Sequence, residues 1–266
     1  MNPGVNPEVS DGALAGFGIL VTRPADQATE LVAAIENAGG KAVRFPVIEI
    51  TGRDKGVVAD EFAALPAPDL IIFVSQNAAR FGGDICASAQ AEIGAIGPST
   101  QAALAARGIV VGMAPEGGFT SEHFLDHPSL SDVAGKNVVI VRGESGRELL
   151  GDELQRRGAV VGYLSAYRRQ IVRPSSSIVA RIDELWRQGG INFVTVLSVE
   201  TLENLLQLLL PTSIDMLRNT PLVAPGGRVI QTAMRLVPDL QAYAASGPAP
   251  GEILAALIEV RNSGQG

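Results

Sequence analysis

The string GILVTRP at 18–24 returns, altered but readable, as NVVIVRG at 137–143, and the residues downstream of each copy correspond as well. Arg23 and Arg142, Leu31 and Leu150, Ile35 and Leu154, and Gly39 and Gly158 are each 119 positions apart. Further on, LIIFVSQNAARF at 70–81 is echoed by NFVTVLSVETLENL at 192–205, with Ser75 and Ser198 separated by 123. A third pair joins TSEHFL at 120–125 to PGEILA at 250–255, setting Glu122 against Glu252 at a separation of 130. Several pairs in one chain order, with a slowly growing offset, imply a duplication with small loop insertions and hence two similar halves.

Each half reads as α/β. The apolar runs 17–21, 70–74, 93–96, 138–141, 193–197 and 222–224 are too short for helices and rich in β-branched residues, so they are predicted strands. Helical spacing comes after them: Ala28, Leu31, Val32 and Ile35, or Leu150 and Leu154, fall three or four apart on one face. Strands that alternate with helices make parallel sheets. At 266 residues and 46% apolar content the chain can bury two cores. Two further segments, 41–50 and 160–171, are extended in character; Pro46 keeps the first off a central position, which fits an edge strand or a ladder between domains. Residues 1–16 lack periodicity and are expected to be a disordered leader.

Ligands of parallel α/β sheets sit beyond the carboxyl ends of the strands, against helix N-termini. Here those ends carry Thr22 and Arg23, Ser75, Gln76 and Asn77, Gly97 with Ser99 and Thr100, Arg142 with Gly143, Ser198, and Gly226, Gly227 and Arg228. Hydroxyls, amides and guanidinium groups of this kind bind anions, above all carboxylates. The set holds no nucleophile with a histidine base, no carboxylate cluster and no phosphate loop with its lysine, which weakens hydrolase, kinase and metalloenzyme readings. Local roles compete with binding: Ser75, Ser99 and Ser198 suit helix N-caps, Arg23 and Arg142 suit pairing with Asp26 and Glu144, and the paired glycines suit a tight turn.

Other classes are disfavoured by what the chain carries. A net charge of −7 is the wrong sign for a nucleic-acid partner. The lone Cys86 reads as a buried spectator thiol and makes no disulfide framework. His123 and His127 have metal-compatible spacing but no third ligand, and Pro128 comes next, so no metal or other cofactor is expected. No apolar stretch approaches membrane-spanning length and 1–16 has no signal-like core, so the protein is expected in the cytoplasm, away from membranes.

The ordered strings ILVTRP at 19–24, FPVIEI at 45–50, IIFVSQNAARFG at 71–82, AIGPSTQAALAARGI at 95–109, VIVRGESGRELLGDELQRRGAVV at 139–161 and LSAYRR at 164–169 together resemble the uroporphyrinogen-III synthase family over roughly 17–260. That resemblance implies two flavodoxin-like domains joined by a two-stranded β-ladder linker, with 17–44 and 170–262 forming a discontinuous first domain and 45–169 an inserted second one. It implies a cofactor-free lyase, usually a monomer. Its substrate would be hydroxymethylbilane, a linear tetrapyrrole with eight carboxylates, which loses its hydroxyl as water and closes through a spiro intermediate that inverts ring D. Such a reaction is won by holding a flexible chain in one shape, so positioning outweighs acid strength.

By matching position, Tyr167 corresponds to the family's tyrosine, placed to assist departure of water; a phenol, with an ordinary pKa of about 10, can help only a group that leaves readily. Ser75, Thr100 and Ser198 match hydroxyl positions of the site. Arg142 and Arg147 match a polar strand-end region and are inferred carboxylate anchors. One departure stands out: LVAPGGRV at 222–229 offers no hydroxyl where relatives carry a threonine or serine pair, leaving backbone N–H groups or Arg228 to replace it. The alternatives are a two-domain polyanion-binding protein without catalysis, including a silent relative serving tetrapyrrole regulation.

Overall fold

The computed structural model describes residues 12–115, 117–146 and 148–263. The chain runs as four segments. The first is β1 (Gly18–Val21), α1 (Thr29–Asn37) and β2 (Lys41–Arg44), continued by β3 (Ile48–Gly52) and α2 (Lys55–Ala63). The second is β4 (Leu70–Phe73), α3 (Gln76–Cys86), β5 (Glu92–Ala95), α4 (Pro98–Ala105) and α5 (Ser121–Leu125). The third is β6 (Asn137–Gly143), α6 (Leu149–Arg156) and β7 (Val160–Ile171), continued by α7 (Ser176–Arg187). The fourth is β8 (Phe193–Thr195), α8 (Val199–Leu208), α9 (Pro211–Arg218), β9 (Leu222–Pro225), α10 (Gly227–Leu236), β10 (Ala242–Ala245) and α11 (Pro250–Ser263).

Two five-stranded sheets result, ordered β10-β9-β8-β1-β2 and β3-β7-β6-β4-β5. The pairs β1–β2, β1–β8, β8–β9, β9–β10, β4–β5, β4–β6 and β6–β7 are all parallel. Strands β1 and β4 are buried along their whole length, as parallel strands sandwiched between helices must be. The β3–β7 pair is the exception. Arg53 N donates to Ala166 O and Val172 N to Val47 O, so numbers rise on one strand as they fall on the other and the pair is antiparallel.

The described residues fall into two compact units, Met1–Glu49 with Gln170–Gly266, and Ile50–Arg169. This division lies within β3, later than the 44/45 division expected from sequence. Phe45 N and Val47 N donate to Val21 O and Thr22 O, and Phe45, Val47 and Ile48 are buried, which ties them to the first unit. The expected leader is also corrected where it can be seen: Leu14 is fully buried and its N–H donates to Ala38 O, so 12–16 pack on α1 rather than trail, while 1–11 lie outside the described residues.

The duplication explains this arrangement. Read by the echo, β1-α1-β2 corresponds to β6-α6-β7, and β4-α3-β5 to β8-α8-β9. The first sheet contains β9-β8-β1-β2 and the second β5-β4-β6-β7, so each joins the second segment of one repeat to the first segment of the other. Shared chemistry lies beneath the echo. Gly39 and Gly158 come just after α1 and α6, at φ 81° and 89°. Gly39 N and Gly40 N bond Glu36 O and Ile35 O, and Gly158 N and Ala159 N bond Gln155 O and Leu154 O. Both helices therefore end in the same glycine cap, where a side chain would cost about 1–2 kcal/mol.

The cores follow the sheet faces. Leu31, Val32 and Ile35 of α1 pack with Ile253, Leu254 and Leu257 of α11 on the first sheet. In the second unit Ile71, Phe73, Val139 and Val141 meet α3, while Ile72, Ile140, Phe124 and Leu154 fill the opposite face.

Candidate functional site

In the second unit the sheet order reverses direction between β4 and β6, the place where ligands of such sheets bind. Ser75, just past β4, adopts an extended conformation and caps α3, its Oγ accepting from Ala78 N at 3.1 Å. The same Oγ lies 3.2 Å from the phenol oxygen of Tyr167. A hydroxyl can accept from the helix and donate to the phenol at once, leaving the phenol proton free to be given elsewhere. Tyr167 is 6% exposed. Its ring is admitted by Gly143: a Cβ there would stand 3.0 Å from two ring carbons.

Arg142 precedes Gly143 in β6, and its side chain packs on Tyr163. Its guanidinium carbon lies 4.1 Å from the centroid of the Tyr163 ring, and its Nε and Nη1 are buried without a hydrogen-bond partner. Burial pushes the Tyr163 phenol up, partly opposed by Arg142, so the ring stays neutral beneath the cation. Tyr163 fits because Gly151 carries no side chain; a Cβ there would collide with the phenol. A buried N–H left unpaired costs about 1–3 kcal/mol, so these two nitrogens keep donors to offer. Glu144 does not pair with Arg142; its carboxylate lies 3.5 Å from Arg53 Nε.

The first unit repeats the pattern between β1 and β8. Ser198 caps α8, accepting from Thr201 N at 3.1 Å, and its hydroxyl lies 2.8 Å from Thr201 Oγ1. Thr22 is fully buried and donates to Thr195 O at 2.6 Å. Arg23 is half-buried, with Nη1 buried and lacking a hydrogen-bond partner. Its burial pushes the guanidinium pKa down, with Glu30 opposing.

The remaining candidates are spread more widely. Gln76 is half-buried and Asn77 buried in the first turn of α3. Gly97 caps α4, so Ser99 is an exposed first-turn residue and not the cap that sequence allowed, while Thr100 is buried. Gly226 caps α10 at φ 75°, and Arg228 in the first turn is exposed. Arg147 lies outside the described residues. Cys86 is buried and its thiol is pushed up to about 12 by that burial, which leaves it unreactive. His123 Nδ1 lies 2.9 Å from Thr120 Oγ1 and His127 Nδ1 accepts from Ser129 N, so both rings serve local turns. Among the described residues no group of three or more His, Cys, Asp and Glu could hold a metal, and no helix is long and apolar enough to cross a membrane.

Two residues of the second unit carried no sequence signal: Tyr163 under Arg142, and Arg53, which bonds Ser165 O at 2.8 Å. Each acts through a contact made only when distant segments meet.

Comparison with known proteins narrows the reading. The family model "Uroporphyrinogen-III synthase HemD" matches residues 29–246. The chain is 34% identical over 207 residues to the uroporphyrinogen-III synthase of Escherichia coli, covering 73% of this chain and 80% of that one. It is 34% identical over 204 residues to the enzyme of the same name from Salmonella typhimurium, covering 72% and 80%. In fold it is similar to a mutant uroporphyrinogen III synthase from Thermus thermophilus, with a TM-score of 0.61 at 19% identity over 93% of this chain and 100% of that one. It is also similar to the uroporphyrinogen-III synthetase of Helicobacter pylori, with a TM-score of 0.60 at 12% identity over 92% and 100%. The match over most of the length, with several relatives of one name, shows that this chain belongs to the uroporphyrinogen-III synthase family.

Proposed function

We propose that this chain is a cyclising lyase of haem biosynthesis that converts hydroxymethylbilane to uroporphyrinogen III, with loss of water and inversion of ring D. The observation that carries the reading is the Ser75–Tyr167 pair, held 3.2 Å apart at the strand ends of a chain from this family. Tyr167 donates to the departing hydroxyl of the substrate while Ser75 donates to Tyr167, and the α3 N–H donates to Ser75. Bonds in such a row polarise one another, which strengthens the terminal donor. The electron-rich pyrrole expels the hydroxyl as water, so the step needs neither a metal nor an organic cofactor. The substituted α-position of ring D then attacks to form the spiro centre. The bond from that centre to the ring C methylene breaks, and the methylene closes on the free α-position of ring D, whose proton is released and balances the one given to the departing water.

Carboxylates of the substrate are bound by Arg142, Arg147 and Arg23, and by Ser198, Gln76, Asn77, Ser99 and Thr100. At α10, which begins without a hydroxyl, the free N–H groups behind Gly226 and the Arg228 guanidinium take that contact. The two units act as flavodoxin-like domains, for which the antiparallel β3–β7 pair serves as linker. The strand order β2-β1-β8-β9-β10 supports that reading for the first of them. The protein works as a cytoplasmic monomer.

Mixing the protein with freshly prepared hydroxymethylbilane and resolving the uroporphyrinogen isomers tests the activity. Isomer III in excess over the protein-free mixture is the expected result. Only the non-inverted isomer, at the rate seen without protein, would leave a binding protein.

A further inference from the structure

Strand β7 begins with regular alternation. Val161 and Tyr163 pack with Ile72 and Ile140 on one face of the second sheet, and Leu164 and Ala166 with Ile71 and Val139 on the other. By a period of two, Tyr167 belongs with Tyr163. It lies instead with Leu164 and Ala166, on the face that carries α3 and Ser75. The cause is a bulge: β6 pairs Arg142 with Ser165 but Gly143 with Tyr167, so Ala166 is skipped. One extra residue re-aims every side chain beyond it.

A bulge is stable only if its displaced carbonyls find donors. Here a single residue supplies two of them. Arg53 N donates to Ala166 O at 3.0 Å, and Arg53 Nη1 donates to Ser165 O at 2.8 Å. The guanidinium is fixed from its other side by both oxygens of Glu61 at 2.7 Å. Its Nε lies 3.5 Å from the carboxylate of Glu144, whose own N–H donates to Tyr167 O at 2.9 Å. Three successive carbonyls, those of Ser165, Ala166 and Tyr167, are thus held by Arg53 and by the residue paired with it.

We propose that Arg53 is a positioning residue for the reaction: by clamping the bulge at Ala166 it turns the Tyr167 phenol onto the Ser75 face and holds it there. The inference rests on the role given to Tyr167 above, and its consequences separate from that role. Exposed pairs such as Arg53 with Glu61 contribute little to global stability, so loss of the guanidinium should act on the bulge more than on folding.

The test pairs kinetics with a probe of the ring itself. The chain has three tyrosines, so protein grown with 3-fluorotyrosine gives three fluorine resonances, and Tyr167→Phe identifies the one of interest. In Arg53→Met, which keeps the apolar stem, the Tyr167 resonance is expected to move or broaden. Turnover should fall about tenfold with KM little changed, as for a reacting group displaced by a fraction of an ångström. Arg53→Lys, able to reach only part of the set, should fall between. In a Tyr167→Phe background Arg53→Met should cost nothing further, because it acts through the missing phenol.

A Tyr167 resonance left in place by Arg53→Met, or losses that multiply in the double variant, would overturn the proposal. Should Tyr167→Phe alone leave turnover unchanged, the catalytic role of the phenol falls while the resonance still decides the clamp. If Arg53→Met does not fold, Glu61→Gln, which frees the guanidinium from its outer anchor, is read by the same resonance against the same two results.

Discussion

Ser75 and Ser198 occupy matching places in the duplication and do the same local work, each capping the helix that begins at a sheet's reversal point. Beyond that they differ. The Ser75 hydroxyl meets a phenol, whereas the Ser198 hydroxyl meets Thr201. The arginines behind them, Arg142 and Arg23, both keep a buried guanidinium nitrogen without a hydrogen-bond partner. Duplication therefore set a capping serine and a partly buried arginine at strand ends of both units, and the bulge in β7 brings a phenol to one copy alone. On the function proposed above, both units bind substrate and the second alone assists the leaving group.

The largest effect should come from breaking that asymmetry. Tyr167→Phe is expected to slow turnover about tenfold to a few hundredfold, the lower range for general acid catalysis, while Ser198→Ala leaves turnover nearly intact. Steady-state rates on fresh bilane compare the two; equal losses would erase the distinction. Next come the shared parts. Arg142→Ala and Arg23→Ala should each raise KM about tenfold, the worth of one charge-assisted hydrogen bond. An arginine whose removal leaves KM unaltered faces solvent and not substrate.

Capping should sharpen the likeness. Ser75→Ala and Ser198→Ala each remove one helix cap and should lower unfolding free energy by about 1 kcal/mol in denaturant titration. Only the first should also slow turnover. A stability loss confined to one of them would show that the two caps are not equivalent.

The smallest effect at neutral pH, and a clear one in acid, concerns Asp183 and Glu153. Asp183 of the first unit is buried and is held below its ordinary value by hydrogen bonds from Thr212, then Arg187 and Ser213. A depressed carboxylate contributes stability above its unfolded value of 3.8, and that contribution fades as pH falls through the folded one. Glu153 of the second unit is held at about 2 by Arg156 and Arg157, but on a solvated helix face where ion pairs contribute little. Asp183→Asn should flatten the acid dependence of stability below about pH 4, and Glu153→Gln should barely alter it. Melting temperatures measured from neutral pH down into acid distinguish the two; a larger flattening from Glu153→Gln would invert the assignment.

Much of the fold was legible because its strands are fully buried. Runs such as LIIF at 70–73 stand out when both faces need apolar residues. Strand β10 did not stand out, since Ala242, Tyr243, Ala244 and Ala245 form an edge whose middle residues are exposed, which removes the apolar signal. The repeat was readable, but its assembly was not: like segments were visible in sequence, and nothing local says that each sheet joins halves of different copies. At the site, Ser75 and Tyr167 could each be named from chemistry and resemblance, while their contact spans 92 positions. Arg53 escaped because a bulge is a register property of two strands, invisible in either alone.

The most direct test is a crystal structure with a tetrapyrrole bound. The account predicts that the carbon carrying the departing hydroxyl, or the bond it forms, lies beside the Tyr167 phenol oxygen on the Ser75 side, with a carboxylate on the Arg142 Nε and Nη1. A tetrapyrrole whose reacting end lies away from both Ser75 and Tyr167 would contradict it.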